Sequence, residues 1–298
     1  MGPTTFSDLG KFLLINPLAK ELRQIADEVL GYSLFDAFRE TDDPYAESAQ
    51  VAFMVACTAL AEWAQSELGV SPDAVVGPSF GEKPLIGFSG ALDFPDAVAM
   101  TAGLARCTAE YFAVEHRDVV TQSFVRAPAE GLQELLAGMD ERGEWHELSC
   151  LLDDGFCMIS LHEAQLDEFQ RQLKALGALP LYTMRPPMHS SLFAGLRDKA
   201  ARDVIDGLAL RDPKLLVVAD QDGHPIHTAE ELRTMLLDHF VRPVDWPAAL
   251  HALRERGVDR LVIAGPDRLF GRVRCATSAF DVVTVDPTRA ARRTRTGI

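Results

Sequence analysis

Three residue patterns in this 298-residue chain could do chemistry. Gly77-Pro78-Ser79-Phe80-Gly81 sets a serine between two glycines directly after the apolar run Ala74-Val75-Val76. A nucleophile turn requires this: a strand enters a sharp bend, and the glycines let the backbone fold and keep neighbours clear of the hydroxyl. A serine in a merely structural turn is the plainer alternative. A serine hydroxyl near its free pKa is a poor nucleophile, so an imidazole must come within hydrogen-bond reach. The chain has eight histidines, and spacing alone does not choose among them. His189 stands out because Met184-Arg185-Pro186-Pro187-Met188-His189-Ser190-Ser191 is a stiff loop following a predicted strand, although a surface-loop histidine would look the same. The third pattern, Asp220-x-Asp222-Gly223-His224-x-x-His227, crowds two carboxylates and two imidazoles together. It lacks the downstream bidentate Glu of a calcium loop and any partner Cys or His at zinc spacing, so it reads as a polar turn. No metal site and no phosphate-cradling Gly-rich loop is expected.

The elements that must position these residues follow from periodicity. Asn16 and Pro17 cap a helix that runs through Leu18, Leu22, Ile25 and Val29 to Gly31. A long, mostly buried helix is predicted from Ala49 to Leu68, and another from Phe94 to His116. The stretch from Glu82 to Leu92, with Pro84, Gly87 and Gly90, has no clear assignment. Residues 119–184 read strand, helix, strand, strand, helix, strand, the order of a self-contained ferredoxin-like insert. Beyond it, α/β alternation resumes with strands at Lys214 to Ala219, Arg260 to Ala264 and Val282 to Val285. Thr228-x-x-Glu231 opens one helix there and Trp246 to Arg256 forms another. The expected fold is α/β: a large α/β-hydrolase-like core with a parallel sheet, residues 1–118 and 185–298, interrupted by the small subdomain 119–184. The two flanking segments must share one sheet.

Composition bounds the partners. Apolar residues make up 47% and charged residues 24%, which excludes collagen-like, disulfide-scaffold and wholly disordered classes. Forty-four acidic against 29 basic side chains leave a formal charge of -15, the wrong sign for binding a phosphate backbone, so nucleic acid is not an expected partner. Arg289, Arg292, Arg293 and Arg295 gather at the end as a solvated tail, with a docking arm as the sharper option. Five cysteines without a C-x-x-C pair suit a reducing cytoplasm. No signal peptide and no run of about 18 apolar residues supports secretion or membrane spanning.

Gly77-Pro78-Ser79-Phe80-Gly81-Glu82 resembles the G-H-S-x-G-E motif of malonyl-CoA:acyl carrier protein transacylases and polyketide synthase acyltransferase domains. The resemblance is collinear through Ser48-Ala49-Gln50, Leu92-Asp93-Phe94-x-Asp96-Ala97, Pro187-x-His189-Ser190, Pro243-Val244-x-Trp246 and Gly265-Pro266. It implies Ser79 as nucleophile and His189 as base, the imidazole oriented by the backbone carbonyl of His239 rather than by a carboxylate. The oxyanion hole would use the backbone N–H of Phe80 and, where an F-P-G-Q-G-like loop is reduced to Met1-Gly2-Pro3, that of Met1. Gln50, Leu104 and Met188 would line the acyl pocket. Acyl-CoA and the phosphopantetheine of an acyl carrier protein are the implied substrates, with no permanently bound cofactor.

Three departures accompany the match. Pro78 replaces the motif histidine, and the chain begins where a buried first strand is expected, which suggests a truncated or misassigned start. Leu104 stands where malonyl-type members carry the arginine that pairs with the extender carboxylate. Arg106 lies about 200° further around the helix. A buried carboxylate against Leu104 would lose several kcal/mol in desolvation, so an uncharged acyl group is expected, unless Arg106 or Arg185 substitutes. The competing readings are a malonyl transferase, a thioester hydrolase that clears stalled chains, a non-catalytic carrier-protein-binding homologue, and an α/β-hydrolase esterase pairing Ser79 with Asp220 and His251.

Overall fold

The computed structural model describes residues 4–267 and 269–291. Helices α1 (Phe6–Ile15), α2 (Pro17–Leu30), α3 (Leu34–Glu40) and α4 (Glu47–Leu68) precede strand β1 (Ala74–Val76), and α5 (Glu82–Phe88) and α6 (Phe94–Val114) follow it. The middle third contains β2 (Val119–Val125), α7 (Ala129–Glu141), β3 (His146–Asp153), β4 (Phe156–His162), α8 (Leu166–Ala175) and β5 (Leu179–Met184). The chain continues through α9 (Ala194–Asp203), β6 (Leu216–Val218), β7 (Pro225–Ile226), α10 (Ala229–Val241), β8 (Val244–Asp245), α11 (Trp246–Glu255), β9 (Arg260–Ala264), α12 (Arg274–Thr277), β10 (Asp281–Val285) and α13 (Pro287–Ala291).

Local chemistry explains the boundaries. Asn16 Oδ1 accepts from Ala19 N–H, Pro17 starts α2 and Gly31 ends it at φ 74°. Thr228 and Glu231 exchange the reciprocal bonds of a capping box at α10. Every residue of α4 from Ser48 to Leu60 is buried, so this helix is the spine of the main core instead of a surface element. Helices α1, α3, α5, α9, α12 and α13 lie outside the expectations. In α5, Pro84 sits in the first turn, where a missing N–H costs nothing, so the proline that obscured this segment is compatible with a helix start.

β1 pairs in parallel with β6, with Val76 opposite Val218, which joins the two flanking segments in one sheet as required. β9 and β10 form a separate parallel pair. The region 119–184 has strand order β5-β2-β4-β3, antiparallel throughout, as a βαββαβ unit demands. It is not self-contained: β8, from the later segment, adds to β3 in parallel as a fifth strand. Its short Val244-Asp245 carries too little periodicity to be read as a strand.

β1 and β9 each have one edge without a strand partner among the described residues, and both line a cavity of about 460 Å³. Thr58 and Ala61 of α4 and Trp246 and Leu253 of α11 complete its walls.

Candidate active site

Ser79 lies three residues beyond Val76 and Asp220 two beyond Val218, so the register of β1 and β6 brings both out side by side at the carboxyl ends of neighbouring parallel strands. Sites in open α/β sheets form at that edge. Ser79 opens a short 3₁₀ turn leading into α5 and has φ 54°, a left-handed conformation costly for a residue with a Cβ. Gly77 is obligatory here, because a Cβ on it would meet the Gly81 carbonyl at 2.1 Å.

His189 Nε2 lies 2.9 Å from Ser79 Oγ across 110 residues of sequence. The loop carrying it is gripped from both units. Ser149 on β3 donates to the Met188 carbonyl at 2.8 Å, Glu147 on the same strand accepts from Ser190 Oγ and Ser191 N–H, and Ser190 N–H donates to the Phe240 carbonyl at 3.2 Å. His189 is 4% exposed, and burial above all, then the neighbouring His239, holds its imidazole well below the usual histidine range. The His239 backbone carbonyl opposes that shift, although Nδ1 makes no hydrogen bond of standard geometry. The two imidazoles meet edge to face at 4.8 Å.

Behind the serine lies a buried cluster that the sequence patterns did not assemble. Asp220, read as part of a polar turn, is 1% exposed and accepts the Ser79 N–H at 2.7 Å. Glu82 is equally enclosed: Gln221 Nε2 donates to it at 3.0 Å, and His239 Nδ1 lies 3.1 Å away without hydrogen-bond geometry. Burial pushes both carboxyls up, and each is the other's neighbour. Lys83, also buried, lies 4.8 Å above the Phe80 ring, and burial lowers its ammonium. The legible signal was position: Glu82 and Lys83 fall one turn after the serine. Only the outer half of the 220–227 run is a surface turn, with Asp222 paired to Arg242 at 2.7 Å and His224 and His227 exposed. No group of three or more potential metal ligands occurs among the described residues.

Ser79 opens onto a second, small cavity of about 40 Å³ lined by Gln50, Phe80, Leu104, Met188 and Lys83. Gln50 donates to the Tyr45 carbonyl at 2.8 Å, and Leu104 is 5% exposed. Arg106 is half exposed and paired with Glu47, and Arg185 is paired with Glu163, so neither reaches this cavity. His251 is exposed on α11 beside Glu255 and meets neither Ser79 nor Asp220, which removes the esterase triad. Met1 and Arg292, Arg293 and Arg295 lie outside the described residues. All five cysteines are free thiols, and no described helix is long and apolar enough to cross a membrane.

Residues 123–184 match the family model described as the VinK acyltransferase small domain. The malonyl CoA-acyl carrier protein transacylase of Bacillus subtilis (strain 168) is 26% identical over 291 residues, spanning 95% of this chain and 90% of that protein. Its counterpart from Escherichia coli K12 is 25% identical over 287 residues, 90% and 87% of the two. Among solved structures, a malonyl-transacylase in complex with a type II polyketide synthase acyl-carrier protein superposes with a TM-score of 0.85, at 22% identity, over 97% of this chain and 94% of that one. The Coxiella burnetii transacylase gives 0.83 at 21% identity over 97% and 93%. Fold and sequence together define an α/β acyltransferase. Over nearly its full length the chain is similar to malonyl CoA-acyl carrier protein transacylases.

Proposed function

We propose that this chain moves an acyl group from an acyl-CoA thioester, through an ester on Ser79, to the phosphopantetheine thiol of an acyl carrier protein, and that the group carries no free carboxylate. The observation that carries the chemistry is the 2.9 Å approach of Ser79 Oγ to an enclosed, neutral His189. His189 Nε2 takes the Ser79 proton as Oγ attacks the thioester carbon. The tetrahedral oxyanion is held by the Phe80 N–H. Collapse breaks the C–S bond, and the imidazolium returns its proton to the departing CoA thiolate. The carrier thiol then gives its proton to His189 and attacks the acyl-serine, and the same proton is handed back to Ser79. His239 orients the base through its carbonyl. No permanently bound cofactor is needed. Residues 1–118 and 185–298 act as the catalytic core and 119–184 as the small subdomain, a division supported by the strand order and the match over 123–184.

Leu104 supports the neutral acyl group, since the cavity beside Ser79 presents a hydrocarbon there and both nearby arginines are engaged elsewhere. A carrier-protein acceptor is supported by a structural neighbour that is itself a transacylase in complex with its carrier protein. Five free cysteines support a reducing, cytoplasmic setting. Transfer of malonyl is the second reading, favoured by the names of the relatives. Intact-protein mass spectrometry after mixing with acetyl-, longer acyl- and malonyl-CoA separates the two. A neutral acyl adduct lost in Ser79→Ala supports the proposal, and a malonyl-only adduct overturns its selectivity.

A further inference from the structure

We propose that Asp220 is the positioning residue of the site: its carboxyl pins the Ser79 backbone in the left-handed turn that aims Oγ at His189. The inference rests on the reading of Ser79 as nucleophile. Ser79 at φ 54° occupies a conformation that persists only where its surroundings over-determine it. The bond from its N–H to Asp220 Oδ2, at 2.7 Å and 141 residues distant in sequence, is the contact that does so.

The other oxygen, Oδ1, is buried and receives no N–H or O–H from any donor among the described residues, while Glu82 is a side-chain neighbour of the Asp220 carboxyl. Two ionised carboxylates cannot share a dry site. One proton between them turns repulsion into a hydrogen bond. The pair then carries one negative charge, which the adjacent Lys83 ammonium balances while His189 and His239 stay neutral. Asp238 is a further charged group acting on Glu82. A closed circuit results. Ser79 N–H meets Asp220, Asp220 meets Glu82, Glu82 meets the His239 ring, His239 meets His189, and His189 returns to Ser79 Oγ. The nucleophile and its base are therefore held by one buried network and not by two independent loops.

The test uses a serine-reactive fluorophosphonate, whose labelling does not depend on the acyl donor, with the modified residue mapped by peptide mass spectrometry. Asp220→Ala is expected to label about 10²-fold more slowly, the loss typical of a nucleophile displaced by about 1 Å. Asp220→Asn should recover to within about threefold of wild type, because its amide oxygen still accepts from Ser79 and its NH₂ donates to Glu82. Asp220→Glu, which keeps the charge but lengthens the reach, should stay at least about tenfold slow, and it replaces the alanine variant if that fails to fold. Labelling of Asp220→Ala or Asp220→Glu within about threefold of wild type, or a folded Asp220→Asn as slow as Asp220→Ala, overturns the positioning role. Wild type left unlabelled at Ser79 overturns the nucleophile reading and this proposal with it.

Discussion

Ser79 Oγ and His189 Nε2 are 2.9 Å apart while both residues hold left-handed backbone, φ 54° and 61°. Each conformation costs of order 1–3 kcal/mol for a residue with a Cβ, and each is held by contacts from a different part of the chain. Asp220 at the end of β6 fixes the serine, whereas Glu147 and Ser149 on β3 and the Phe240 carbonyl fix the histidine loop. The small βαββαβ unit is thereby a structural partner of the dyad. Replacing Glu147 with Ala should slow acylation of Ser79 by about tenfold or more through displacement of His189, measured by single-turnover labelling.

Removing either member of the pair should be far more severe. Ser79→Ala should abolish the acyl-enzyme, and His189→Ala should reduce its rate at least about 10³-fold, because an unassisted hydroxyl is a weak nucleophile. His251→Ala should leave the rate within about twofold, since that imidazole is exposed beside Glu255. Quench-flow followed by mass spectrometry reads all three.

Much of this site is legible in the sequence because its parts are local. Gly77, Ser79 and Gly81 encode a bend, Asn16 and Thr228 encode caps, and alternating and helical periods encode the βαββαβ order. Pairings between distant segments are not legible. Asp220 looks like a turn residue, for carboxylates next to Asp222 and Gly223 are usually solvated, and nothing local reveals that the parallel register of β1 and β6 buries it under Ser79. β8 escapes notice for the same reason: two residues gain strand character only because β3 offers them an edge. Pro84 is ambiguous because a proline marks both a break and a helix's first turn.

Leu104→Arg should move donor preference toward carboxylated acyl groups. Leu104 is buried in the cavity beside Ser79, and a guanidinium there would offer the charge-assisted pairing that a buried carboxylate otherwise lacks. Competition between malonyl-CoA and acetyl-CoA should shift by at least about tenfold toward malonyl, read as the ratio of the two adducts. No shift would remove Leu104 as the selector.

The pH dependence has two separable parts. His189 is held well below the usual histidine range, so the acid limb of kcat/KM should fall below pH 6.5. Stability behaves differently. The lowered His189 and His239 bind fewer protons folded than unfolded, so their contribution rises with pH and is complete by about 6.5. Glu82 is raised, to about 8, so the folded state keeps a proton that the unfolded chain releases from about pH 4.5, and its contribution declines until about pH 8. Between about pH 6.5 and 8 only the falling part operates. Melting followed by circular dichroism should show wild type losing roughly 1 kcal/mol per pH unit there, and Glu82→Gln should flatten the slope.

Thr58 offers the last prediction, one that concerns stability away from the dyad. Its hydroxyl is buried in the wall of the cavity of about 460 Å³ between β1 and β9 and has no hydrogen-bond partner among the described residues. A buried, unsatisfied hydroxyl costs of order 1–3 kcal/mol, and valine matches threonine in shape without it. Thr58→Val should therefore raise stability by about 1 kcal/mol and the melting midpoint by about 2–4 °C, while Ser79 labelling stays unchanged. Differential scanning calorimetry decides the matter. A lower midpoint would mean that the hydroxyl is satisfied by water inside the cavity, and would show that the space between the two sheets is wet.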